Sequence, residues 1–230
     1  MAALDAAIKD VRQRIERACA RAGRDPAGVR LLPVSKGVPV DRLRAALELG
    51  LNVFGENRVQ EAEAKAADLP AAQWELIGHL QSNKAAKAVA LFDAIQSVDS
   101  VELARRLDRL AADAGRPTPL AVYLEVNVDA DPAKAGFEPM SLDAAIAELA
   151  ALQNLDLVGL MTVGRLVGSP LEARSTFRRL REVSDRLRHA HPQLRGGLSM
   201  GMSADFEVAI EEGATVVRIG SALFGARPPR

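Results

Sequence analysis

One lysine, Lys36, stands at the end of the apolar run Val29-Arg-Leu-Leu-Pro-Val-Ser35, and far down the chain Thr215-Val-Val-Arg-Ile219 leads into the turn Gly220-Ser221. A lysine amine can form an imine with an aldehyde. Backbone N–H groups at a Gly-Ser turn that opens a helix can hold a phosphate. A second segment, Ser199-Met-Gly-Met-Ser203, also follows an apolar run and adds amides and two hydroxyls. Strand-end lysines are often only solvated, and glycines often only make turns. An amine and two Gly/Ser turns together are more specific, because one small molecule needs both: pyridoxal 5'-phosphate (PLP).

Arg218 sits among Val216, Val217 and Ile219, and a charge inside an apolar strand needs a partner. It either makes an internal salt bridge to Glu or Asp, or meets the pyridine nitrogen of PLP. An arginine there keeps that nitrogen unprotonated and weakens the ring as an electron sink, which suits holding the cofactor better than carbanion chemistry. His79 at the end of another strand serves proton transfer or a structural hydrogen bond equally well. His189 and His191 have no Cys or acid cluster beside them, so no metal site is expected.

These groups need elements to position them. The 230 residues suffice for one large domain, expected to occupy the whole chain, 1–230, with a 48% hydrophobic composition and zero formal net charge. Zero net charge gives no field for nucleic acid or an anionic membrane. The apolar runs are too short to span a bilayer, and the first ten residues read as a helix instead of a signal peptide. Cys19, the single cysteine, excludes an internal disulfide; a cytoplasmic location is expected. Six of the thirty basic residues are lysines, so a lysine kept at a strand end hints at chemistry that an arginine cannot do. The arginines at 178, 179, 181, 186 and 188 alternate with acids and read as a solvated helix face.

Apolar runs and helical periodicity alternate throughout. A helix over about 3–22 is followed by strands at Val29–Ser35, Leu51–Phe54, Trp74–Ile77, Ala94–Val98, Leu120–Val128, Leu157–Met161, Gly197–Met200 and Thr215–Ile219. Helix starts fall at Pro39-Val-Asp41, Asp99-Ser100, Ser141 and Ser203-Ala-Asp205. The strands are apolar on both faces, as parallel strands covered by helices are. Eight such units predict a single (β/α)8 TIM-like barrel with an extra N-terminal helix; a doubly wound open sheet is the alternative. The loop Gly164–Pro170 is expected to move. On the C-terminal rim of the barrel, where chemistry takes place, the sequence delivers Lys36, Gly55-Glu-Asn57, Gly78-His79, Ser97 with Asp99, Asn127, Thr162, the Ser199 segment and Gly220-Ser221.

The chain resembles the pyridoxal phosphate homeostasis protein family. The matching segments are Pro33-Val-Ser-Lys36, Phe54-Gly-Glu-Asn57 with Val59-Gln-Glu61, Ile77-Gly-His-Leu-Gln-Ser-Asn-Lys84, Glu125-Val-Asn127, Lys134-Ala-Gly136, Gly159-Leu-Met161, Ser199-Met-Gly-Met-Ser203 and Arg218-Ile-Gly-Ser-Ala-Leu-Phe-Gly225. The resemblance implies a barrel like the N-terminal domain of alanine racemase, with PLP as an imine on Lys36. It implies cofactor contacts from Asn57, from Ser199, Met200, Gly201 and Ser203, and from Gly220 and Ser221, with Arg218 near the pyridine nitrogen. It also implies a PLP carrier or buffer acting in vitamin B6 and amino-acid balance, without established catalysis. Two departures stand out. Gly37 and Val38 follow Lys36 where members often carry Thr and a basic residue, and Ser221 replaces a common threonine.

A non-enzymatic PLP carrier is therefore expected, a monomer, with apo PLP-dependent enzymes as possible recipients. Racemase chemistry needs a tyrosine base from a second domain, and the sole tyrosine, Tyr123, falls away from the strand ends. The alternatives are a PLP-dependent racemase or lyase of narrow specificity, and a barrel enzyme for a phosphorylated metabolite.

Overall fold

A computed structural model describes residues 1–164 and 169–225. Residues 165–168, the middle of the loop expected to move, lie outside the described residues. The strands are β1 (Arg30–Pro33), β2 (Val53–Glu56), β3 (Gln73–Leu76), β4 (Ala94–Val98), β5 (Leu120–Glu125), β6 (Leu155–Met161), β7 (Gly197–Met202) and β8 (Val216–Ile219). All pair in parallel, in the order β1-β8-β7-β6-β5-β4-β3-β2. A parallel bridge from Val34 to Gly55 links the two remaining edges, so the sheet is a nearly closed barrel. Neighbours are consecutive all the way round, without the order reversal of a doubly wound sheet.

The helices are α1 (Ala2–Arg21), α2 (Val40–Glu48), α3 (Val59–Asp68), α4 (Ala85–Leu91), α5 (Val101–Asp113), α6 (Leu142–Leu149), α7 (Arg174–Ala190), α8 (Phe206–Glu211) and the single turn α9 (Ser221–Phe224). The leading helix buries Leu4, Ile8, Val11 and Ile15 along one stripe, each contributing about 1.5–3 kcal/mol relative to exposure, and packs on α8 and α9. Ser100 caps α5 by accepting from the Leu103 N–H, as its sequence position predicts. Ser141 does not cap α6; its hydroxyl donates to the Glu138 carbonyl.

Several strand ends differ from expectation, those of β2 and β5 among them. β2 runs on through Gly55 and Glu56. A side chain at Gly55 would press on Ile77 and Leu32 inside the barrel, so glycine lets the strand continue through a filled interior instead of ending it. β5 stops at Glu125, because Asn127 turns the chain by bonding the Asp131 backbone through both its amide nitrogen and its oxygen.

The arginine face of α7 is solvated as expected, with Arg178, Arg179, Arg186 and Arg188 exposed, and it is also paired. Arg174, Arg178 and Arg181 converge on buried Glu212, Arg179 meets Asp129 and Arg186 meets Asp143. Among the described residues, no helix is long and apolar enough to cross a membrane.

Candidate functional site

Lys36 lies just beyond β1 on the C-terminal rim, half-buried. Among the described residues its ammonium has no hydrogen-bond or ion-pair partner. Its neighbours in the chain are held from below. Buried Lys65 on α3 donates to the Ser35 carbonyl, to Glu56 Oε2 and to Glu61 Oε1, each at 2.7 Å. The Ser35 hydroxyl donates to Glu56 Oε2 at 2.7 Å, and the Gly37 N–H donates to Glu61 Oε1 at 2.6 Å. Glu56 Oε1 accepts the Asn57 N–H at 2.7 Å. Residues 35, 37 and 57 are thus tied to one buried cluster, which fixes the direction in which Lys36 leaves the strand. Burial alone would raise the Glu61 carboxyl, but hydrogen bonds from Lys65 and Gly37 hold it below the usual carboxylate range.

Arg218 forms the floor. It is buried and donates to the Ser199 carbonyl, the Ser199 hydroxyl and the Thr162 carbonyl, each at 2.8 Å. Among the described residues it forms no salt bridge, so of the two readings of this arginine the internal ion pair is overturned: carbonyls and a hydroxyl, not a carboxylate, accept from it. The Ser199 hydroxyl donates to Gln96, Gln96 to Glu75, and Glu75 accepts from Arg30 at the opposite end of the barrel. Burial lowers Arg218 to about 10, with Glu125 and Asp205 pulling the other way, so the group is still a cation at neutral pH.

A cavity of about 380 Å³ lies over this floor, and Lys36, Asn57, Ser203, Arg218, Gly220 and Ser221 line it. The Ser203 hydroxyl accepts the N–H groups of Gly220 and Ala222 at 3.2 and 3.3 Å, so hydroxyl and amides gather at the start of α9. Ser199 and Met200 do not line the cavity. Both are fully buried: Ser199 braces Arg218, and Met200 packs into the layer between barrel and helices. Gly201 has φ +91°, and a Cβ there would come within 2.5 Å of Ala209; it makes the turn that delivers Ser203.

Further round the rim, His79 Nδ1 lies 3.1 Å from Asp99 Oδ2. Lys134 is spent on the carbonyls of Val163 and Gly164. Tyr123 is buried within the barrel, in the cluster of Leu32, Ile77, Met161 and Val216. Burial, reinforced by the Asp99 charge, pushes the Glu125 carboxyl up to about 7, against Arg218, His79 and Lys134. The folded state therefore holds a proton that the unfolded chain releases near 4.5, and stability falls as pH rises from there to about 7. Glu125→Gln should be more stable than wild type by roughly 1–3 kcal/mol at about pH 8, and equal to it near pH 4. Urea denaturation at both pH values checks this; a constant difference would contradict it.

Sequence reasoning missed Lys65, grouped with lysines that have no evident task. The signal was present in Glu61 four residues before it, an i,i+4 pair on a predicted helix.

Fold and site together define a class: a barrel of the alanine racemase N-terminal type, with a lysine after β1 and a Gly-Ser turn after β8. The chain matches the family described as alanine racemase, N-terminal domain, over residues 7–228. It is 45% identical over 223 residues to the pyridoxal phosphate homeostasis protein of Pseudomonas aeruginosa, spanning 96% of this chain and 94% of that one. It is 42% identical over 225 residues to the protein of that name from Aquifex aeolicus, spanning 96% of both. PipY of Synechococcus elongatus PCC7942, solved with PLP bound, superposes with a TM-score of 0.81 at 43% identity, over 92% of this chain and all of that one. Alanine racemase of Clostridium difficile 630 superposes at 0.75 with 15% identity, over 58% of its length, a likeness of fold alone. The chain belongs to the pyridoxal phosphate homeostasis protein family.

Proposed function

We propose that this protein binds PLP covalently through Lys36 and acts as a carrier or buffer of the cofactor. One observation carries the reading: the Lys36 amine, unpartnered among the described residues, opens on the same cavity as Arg218 and the Gly220-Ser221 turn. The donor set fits the cofactor, with an amine for its aldehyde, hydroxyls and helix-start amides for its phosphate, and a buried cation for its ring nitrogen. Bound there, PLP supplies an electrophilic carbon and an electron-withdrawing ring.

The chain's own residues do the holding. The Lys65 cluster orients Lys36, Ser203, Gly220 and Ser221 take the phosphate, and Asn57 lines the wall. Arg218 is kept on the floor by Ser199, so Ser199 supports the site from beneath, and Gly201 shapes the turn that brings Ser203 to it. An arginine facing the ring nitrogen tempers the ring as an electron sink, which favours storage over turnover. On this reading the protein is a cytoplasmic monomer of one barrel domain that supplies apo PLP-dependent enzymes.

Titration with PLP, followed by absorbance, tests it. Wild type should gain a visible band that borohydride abolishes, and Lys36→Ala should gain none. A band of equal strength in Lys36→Ala would refute the assignment. The near-neutral Glu125 carboxyl at the rim favours one second reading, a weak racemase or lyase activity; deuterium exchange at Cα across a panel of amino acids would expose it.

A further inference from the structure

A second and larger cavity, about 570 Å³, opens on the other side of Lys36. Lys36, Arg58, Lys84 and His79 line it together with the side-chain amides of Gln60 and Gln81, and no carboxylate does. Other clustered cations of this neutral chain meet acids: Arg174, Arg178 and Arg181 share Glu212, and Lys65 shares Glu56 and Glu61. Among the described residues, Arg58 and Lys84 have no ion-pair or side-chain hydrogen-bond partner. The nearest acids are already engaged, Glu61 by Lys65 and the Gly37 N–H, and Asp99 by His79. The first turn of the ten-residue α3 also forms part of the wall, where helix N–H groups have no acceptor within the helix. Several cations and amide donors meeting in a concavity without an acid select an oxyanion.

We propose that this cavity is a second oxyanion subsite, holding the carboxylate or phosphate of a small molecule beside the cofactor on Lys36. It rests on the reading of Lys36 as the PLP residue. Arg58 and Lys84 bind the anion, and Gln60 and Gln81 donate around it. Lys36 and Asn57 belong to both cavities, so a ligand seated here lies against the held cofactor.

The test is equilibrium dialysis of PLP-loaded protein, in phosphate-free buffer, against labelled inorganic phosphate and, separately, labelled L-glutamate. Wild type should bind at least one of them, and which one it binds separates a phosphate ligand from a carboxylate ligand. The double variant Arg58→Ala/Lys84→Ala should bind at least about tenfold more weakly, since two charge-assisted contacts are lost, while keeping its visible band. Binding of neither probe by wild type, or equal binding by the variant, would overturn the proposal. So would loss of the band in the double variant with its retention in Ser203→Ala/Ser221→Ala, because the larger cavity would then hold the cofactor's own phosphate. A wild type that never gains the band fails the PLP reading instead, and the same dialysis without PLP then decides whether the anion subsite stands.

Discussion

Lys65→Met is expected to lower stability by roughly 3–5 kcal/mol, because it strips the counter-charge from a fully buried Glu56. Lys65 satisfies three acceptors at once, and its loss leaves a carboxylate in the interior with only the Ser35 hydroxyl and the Asn57 N–H. Removing both charges should cost less than removing one, since no uncompensated charge is then left in the interior. Glu56→Gln/Lys65→Met is therefore expected to be more stable than Lys65→Met alone. Urea unfolding of the two single variants and the double completes the cycle. A Lys65→Met protein within about 0.5 kcal/mol of wild type would show that the cluster is no brace.

Arg218→Leu carries the second large effect. It removes three hydrogen bonds in the barrel interior, leaving the Thr162 carbonyl without its donor and the Ser199 carbonyl with the Thr162 N–H alone. The expected loss is roughly 2–4 kcal/mol, the lost bonds and one orphaned buried acceptor partly offset by no longer burying a cation. Arg218→Lys should recover only part, because a single ammonium cannot span both strands as the planar guanidinium does. PLP affinity should fall in the same order, wild type above Lys above Leu. Cofactor titration and urea denaturation on the three proteins check both parts; unchanged affinity in Arg218→Leu would remove the arginine from the cofactor site.

The barrel was legible because its signal repeats. Eight apolar runs with helix starts between them leave few topologies, and every one of the runs became a parallel strand. Strand ends were less legible: Gly55 reads as a loop residue until Leu32 and Ile77 are seen filling the interior beside it. At the site, spacing places residues on the rim but does not say which way they point. Ser199 and Ser203, four residues apart, differ in role, one facing the interior to hold Arg218 and the other reaching the amides of α9, and the turn at Gly201 separates them. The Lys65 cluster was hidden for a different reason. It joins β1, β2 and α3, and only the folded chain brings Ser35, Glu56 and Glu61 to one ammonium.

The central claim is that Lys36, and no other of the six lysines in the chain, carries the cofactor. Borohydride reduction of the PLP-loaded protein, followed by peptide mass mapping, tests it most directly. The added mass should fall on the peptide containing Lys36, at near one equivalent. Label spread over Lys84, Lys87 or Lys134 with Lys36 unmodified would contradict the account.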